Sequence, residues 1–287
     1  MFLYRPDIDG LRAIAVFSVI LFHAKLDFLN YTIFNGGFIG VDIFFVISGY
    51  LITSIIREQQ RLKKFTFILF YERRIRRIIP ALFLVIYFSI LLSYILLLPG
   101  DLFEFAQTLL TTTFFSSNFY FWKHTGYFFT ENELKPLIHT WSLSVEEQFY
   151  IIFPIGYVLV IKYLNKYTNF ILIFMFAISL LWAEMESKTG SSGSFYLLPT
   201  RAWEFLIGIY AAVEDKKLKQ LFNLKIRNFL SLFGLFLIIY SILMFKEKYD
   251  HPGFITLFPT LGTLLIILYS NPKNFCYKLL SKKILVF

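Results

Sequence analysis

Apolar residues run along most of this chain in blocks long enough, or nearly long enough, to cross a membrane. A helix needs about 20 residues to traverse roughly 30 Å of hydrocarbon. Blocks of that kind, some completed only by flanking polar residues, fall at 8–24, 39–56, 78–98, 138–161, 169–185, 197–213, 228–245 and 254–270. The pattern predicts an all-α fold, a bundle of about eight transmembrane helices making one membrane domain over 1–287. Segment 102–122 breaks the pattern. Its Glu104, Gln107, Thr108, four further Ser/Thr hydroxyls in 111–116, Ser117 and Asn118 are too polar to face lipid, so it reads as interfacial or re-entrant.

Charge tests that choice. With the N-terminus inside and eight spans, 21 of the 28 Lys and Arg fall on the inner side and six outside, and Arg201 sits at the start of a span. That asymmetry is what the positive-inside rule requires. A ninth span at 102–122 would reverse every later loop and carry the basic clusters outside.

Composition agrees with a membrane protein. The chain is 57% hydrophobic and 21% aromatic, and its 16% of charged residues falls well below the share of about 25% usual in soluble domains. The formal charge of +9 belongs to the basic loops and implies no nucleic-acid partner. Cys276 is the single cysteine, so an internal disulfide and a cysteine metal cluster are both excluded. The sequence carries no P-loop, zinc spacing or dinucleotide fingerprint, and it predicts no metal and no bound cofactor.

Polar residues inside the apolar blocks are the candidates for chemistry, because an ionisable group in a span usually faces a protein interior or a wet cavity. Arg12 and His23 stand eleven residues apart in the first block, three helical turns, and so share a face. Gly36 to Tyr50 enters the second block with closely spaced glycines and Asp42; Gly49 there permits tight helix packing. The basic stretch 73–77 pairs Arg74 with Arg77 and Arg73 with Arg76 on helical faces. These arginines suit topology and anionic lipid, and a guanidinium pair can also grip phosphates bidentately. His139, Ser142 and Glu146 form one helical stripe, and Glu146 and Glu147 lie adjacent in an apolar block. Arg201 and Glu204, three apart, read as an internal ion pair, with Arg201 also a possible partner for Glu146.

Four stretches in order carry a resemblance. Tyr4-Arg5-Pro6-Asp7-Ile8-Asp9-Gly10-Leu11-Arg12 with Phe22-His23 comes first, and the second is Gly36 to Thr53. Arg73-Arg74-Ile75-Arg76-Arg77-Ile78-Ile79-Pro80 and Trp141-Ser142-Leu143-Ser144-Val145-Glu146-Glu147-Gln148-Phe149-Tyr150 complete the set. Together they resemble the integral-membrane acyltransferase 3 family, bacterial enzymes that O-acylate surface glycans such as lipopolysaccharide and peptidoglycan. The resemblance implies transfer of an acyl group, acetyl above all, from cytoplasmic acyl-CoA as co-substrate to a glycan hydroxyl. It also implies a multi-pass protein of the bacterial cytoplasmic membrane, in contact with membrane lipid. His23 matches the family's essential histidine, and Arg74 and Arg77 match its Arg-x-x-Arg pair. Glu146 matches the first glutamate of its signature and joins His23 as a catalytic candidate. Arg12, Asp42 and Glu147 join the arginine pair as candidates for binding substrate.

Physically, an imidazole can take the proton of an attacking hydroxyl near its own pKa. A carboxylate beside it fixes the tautomer, which motivates the expectation that Glu146, or else Glu147, lies within hydrogen-bond reach of the His23 site or of the acceptor hydroxyl. The topology places the arginines at the inner face and His23 and Glu146 in the outer half. Relatives continue with a further span after a sequence like Lys282 to Phe287, so the chain reads as lacking its last span or spans. A transporter, or an inactive remnant, is the alternative function.

Overall fold

In the computed structural model, the described residues are 4–25, 27–28, 31–32, 34–124, 135–246 and 250–286. All eight apolar blocks are helical: α1 Pro6–His23, α2 Gly40–Arg61, α3 Phe67–Leu96, then α6 Thr140–Tyr163, α7 Thr168–Lys188, α9 Leu198–Val213, α11 Leu224–Met244 and α12 Leu257–Tyr269. Between and after them lie α4 Pro99–Thr113, α5 Ser117–His124, α8 Gly193–Tyr196, α10 Asp215–Gln220 and α13 Phe275–Leu280. The β-structure among the described residues is one two-residue antiparallel pair, Asp27–Phe28 with Tyr31–Thr32.

Among the described residues, five helices are long and apolar enough to cross a membrane: α2 with its leading turn, α3, α6, α7 and α11. The chain is a multi-pass membrane protein. Three of the expected spans fall short of that standard for physical reasons. Asp7, Asp9 and Arg12 interrupt the apolar run of α1, whereas α9 and α12 have 16 and 13 residues. Helix α9 is buried on all sides from Thr200 to Ala212, with few gaps. A helix enclosed by protein has no need to match the bilayer thickness.

The contacts divide the chain into two compact units: Met1–Ile55, Lys166–Ser194 and Pro199–Phe287 form the first, and Ile56–Asn165 with Phe195–Leu198 the second. In the first unit, α2 and α9 cross through glycines on both sides. A Cβ on Gly49 would meet the Phe205 carbonyl, and one on Gly208 would meet the Val46 carbonyl. Gly37 and Gly40 let α2 and its leading turn lie against α1, where added methyls would strike the Ser18 and Ala15 carbonyls. Gly234 and Gly262 do the same for α11 and α12. Without a hydrophobic force between helices in lipid, such backbone proximity carries the packing. Around these crossings lie Leu11, Ala15, Ile43, Val46, Ile47, Trp203 and Ile238, all buried.

In the second unit, Thr66 caps the 30-residue α3 by accepting a hydrogen bond from the Leu69 amide. The polar segment 102–122 forms α4 and α5, broken at Phe115, whose φ is +51°. Its hydroxyls are satisfied in two ways. Thr108, Thr111 and Thr113 donate to carbonyls of their own helix, while Thr112 bonds Thr140 and Ser117 bonds Ser144 of α6. Gln148 of α6 donates to Asn118 at 2.8 Å and to the Phe115 carbonyl at 3.0 Å. The polarity that bars this segment from lipid is spent on binding it to α6.

Candidate functional site

His23 is the last residue of α1, and it is exposed. Its ring meets Phe22 edge-on at 4.9 Å, Phe22 meets Phe38 at 5.6 Å, and Phe38 meets His251 at 4.8 Å. Behind that aromatic row stands a charged cluster. His251 Nε2 lies 3.1 Å from Asp42 Oδ2, and Arg201 Nη1 donates to Asp42 Oδ1 at 2.6 Å and to Glu204 Oε1 at 2.8 Å. Asp42, Arg201 and Glu204 are 0% exposed and His251 is 6% exposed. Buried charges persist only when paired, and here two carboxylates surround one guanidinium. Burial first, then the Arg201 charge, push the His251 pKa well below its ordinary value. The imidazole is therefore neutral near pH 7.

Helix geometry explains how α2 and α9 deliver this cluster. Asp42, Val46 and Gly49 occupy i, i+4 and i+7, so the face that carries the carboxylate also carries the close approach to α9. Arg201 and Glu204, one turn apart on α9, form the ion pair that their spacing suggests, and Asp42 joins it. Both oxygens of Asp42 are engaged inside the protein. Arg12 holds Asp9 at 3.2 Å on its own helix, with each side chain about a quarter exposed. The eleven residues from Arg12 to His23 set them about 16 Å apart along the axis.

The second unit holds the arginines and the glutamate pair together. The Arg74 guanidinium lies 4.8 Å from the centre of the Tyr150 ring and 5.8 Å from that of Phe70. Tyr150 is buried, and its hydroxyl makes a short hydrogen bond to Glu146 Oε1. Tyr71 donates to the Ile151 carbonyl at 3.0 Å, a second tie between α3 and α6. Glu147 is buried in the field of Glu146, Arg74 and Arg77, and its Oε1 has no hydrogen-bond partner among the described residues. A buried carboxylate oxygen without a donor demands a reason, and a ligand donor is one.

The arginines thus do not stand on the far side of the membrane from the glutamates. They lie in α3, which begins at Phe67, rather than in a connection before it, and Arg74 reaches α6 at Tyr150. Arg73, Arg76 and Arg77 are exposed, and Arg76 pairs with Glu72 at 2.6 Å. His139, before α6, is exposed, and Ser142 donates to its carbonyl at 3.2 Å. His23 and Glu146 belong to different compact units, each with its own surroundings as given above. Sequence reasoning missed two residues of these groups. Tyr150 was in view as the end of an ordered motif, but nothing local marks His251, whose partner Asp42 is 209 positions away.

A family model described as an acyltransferase domain matches residues 5–287. The peptidoglycan O-acetyltransferase OatA of Listeria monocytogenes is 34% identical over 293 residues, covering 98% of this chain and 46% of that protein. The O-acetyltransferase OatA of Staphylococcus aureus is 33% identical over 299 residues, covering 98% and 47%. A putative peptidoglycan O-acetyltransferase of Bacillus subtilis, YrhL, is 34% identical over 300 residues, covering 97% and 45%. The chain spans about half the length of these relatives. No solved structure matches it.

Proposed function

We propose, from the premise that this chain belongs to the acyltransferase-domain family, that it moves an acetyl group from acetyl-CoA to a hydroxyl of an envelope glycan. The observation that carries the reading is the family match over 5–287. The names of the Listeria and Bacillus relatives support a peptidoglycan acceptor. The arginine–glutamate group of α3 and α6 supports a donor site, since planar guanidinium groups match phosphate oxygens in pairs. Arg74 and Arg77 hold the CoA phosphates, and the bare oxygen of Glu147 accepts from a donor group of the bound substrate. Arg12 helps bind substrate from α1.

In the transfer step, His23 takes the proton of the sugar hydroxyl as its oxygen attacks the thioester carbonyl. The C–S bond breaks, CoA leaves as thiolate, and the proton on His23 returns to that sulfur. Glu146 acts on the reaction from α6 through its bond to Tyr150, and Asp42 acts through Arg201 and His251. The protein lies in the cytoplasmic membrane with its N-terminus inside, as its basic loops favour. The experiment is transfer of radiolabelled acetyl from acetyl-CoA to the glycan fraction of membranes that contain the chain. Label must appear in an alkali-labile ester on glycan. A wild-type chain that is abundant and folded yet transfers no label overturns the proposal.

A further inference from the structure

Where α3 ends and α4 begins, the second unit holds a cavity of about 350 Å³. Asp101, Glu104, Phe105 and Thr108 line it from α4, and Lys135 and Pro136 from the approach to α6. The acyl-transfer reading leaves all six without a role. Asp101 and Glu104 are three apart and share a helical face. Lys135 Nζ lies 3.1 Å from Glu104 Oε2, with Lys135 largely covered and Glu104 about half exposed. Phe105 is buried against the cavity, and the buried Thr108 spends its proton on the Phe105 carbonyl at 2.8 Å, which leaves its oxygen able to accept.

This lining has the chemistry of a sugar site. Carboxylates and a hydroxyl oxygen accept from ring hydroxyls, an ammonium donates to them, and Phe105 and Pro136 offer apolar surface to the C–H face. Among the described lining residues, two carboxylates against one ammonium leave a formal charge of −1, which disfavours a phosphate or a free carboxylate in the cavity. The volume falls within the range of about 300–1,000 Å³ usual for small-ligand sites. Its setting matters as well. At the end of α3 and the start of α4, Tyr94, Ile95, Leu96, Leu98 and Phe103 are 67–80% exposed, as befits side chains that meet lipid or its interface. About 34 Å of helix separates Leu97 from Arg74, so the cavity and the arginines sit at opposite ends of α3.

We propose that this cavity is an acceptor subsite that takes an uncharged, hydroxyl-rich sugar ring at the membrane surface. It rests on the acyl-transfer reading for its role, but binding alone tests it. The full chain in nanodiscs, with no acyl donor present, is titrated by calorimetry with N,N′-diacetylchitobiose and with N-acetylmuramic acid. The neutral sugar is expected to bind and the carboxylated one to bind at least about fivefold more weakly. Asp101→Asn and Thr108→Val are expected to weaken the neutral sugar by about tenfold, the size of one or two lost hydrogen bonds. Thermal unfolding checks that each variant is folded, and Glu104→Gln serves as a further arm if Thr108→Val is not. No binding by the wild type, equal affinity for both sugars, or unchanged affinity in folded variants overturns the subsite. Sugar binding without acetyl transfer would sink the transfer reading and leave the cavity a sugar site.

Discussion

Arg74 of α3 lies with its guanidinium 4.8 Å from the ring centre of Tyr150 of α6. The same tyrosine donates its hydroxyl to Glu146, so one side chain joins a cation to a carboxylate across two helices. Arg74→Lys keeps the charge but loses the planar fork and most of the stacking, a contact worth about 0.5–2 kcal/mol. It is expected to weaken acetyl-CoA binding about tenfold or more, whereas Arg77→Lys, at an exposed position, is expected to leave the fold intact and to weaken acetyl-CoA binding alone. Titration of CoA against each purified variant decides the matter. Affinity equal to wild type in both would leave these arginines to lipid contact and topology.

His23→Ala is expected to lower acetyl transfer by about 10²–10⁴, the usual cost of removing a general base. Abundance and thermal stability should hold, because His23 ends α1 and is exposed. Turnover like wild type at equal abundance would remove His23 from the chemistry.

Much of this architecture is legible in the chain, and the limit falls in a definite place. Hydrophobic blocks give the helices, because length and apolarity are local properties. The spacing of Arg201 and Glu204 gives their ion pair for the same reason. Gly49 is visible as a packing residue, but its partner, the Phe205 carbonyl, is not. Asp42 looks like a ligand for substrate until Arg201, 159 positions on, is brought against it. Position along the helix axis is also hidden: the arginines seem to belong to a loop because α3 begins earlier than its apolar run. Which faces meet is set by tertiary packing, and no periodicity encodes it.

His251 gives a prediction in pH. Its folded pKa is depressed by burial, while in the unfolded chain it titrates near 6.5. Below about 6.5 the unfolded chain therefore binds a proton that the folded chain does not, and stability falls as the pH falls. Between pH 7.5 and 5.5, wild type is expected to lose more thermal stability than His251→Gln, whose amide can still donate to Asp42. The difference should approach about 1.4 kcal/mol per pH unit at the acid end. Parallel curves for the two proteins would show that His251 is not held neutral.

The glycine crossing of α2 and α9 carries the strongest structural prediction. At Gly49 and Gly208 alike, an added methyl would run into backbone, the Phe205 and Val46 carbonyls, and backbone cannot swing aside as a flexible side chain can. Overpacking of this kind costs about 1–3 kcal/mol, so Gly49→Ala and Gly208→Ala should each lower the unfolding midpoint. The helices must separate to admit the methyl, and that separation lengthens the Arg201–Asp42 bond that spans the same crossing. The two single variants should therefore be less than additive in combination, since the first opens room for the second. Gly156→Ala is the control. Gly156 lies on α6 with nothing within 4 Å of an added Cβ, so alanine should leave stability unchanged or raise it by up to about 1 kcal/mol. If Gly49→Ala and Gly156→Ala unfold at the same temperature, the close crossing is not what holds α2 to α9.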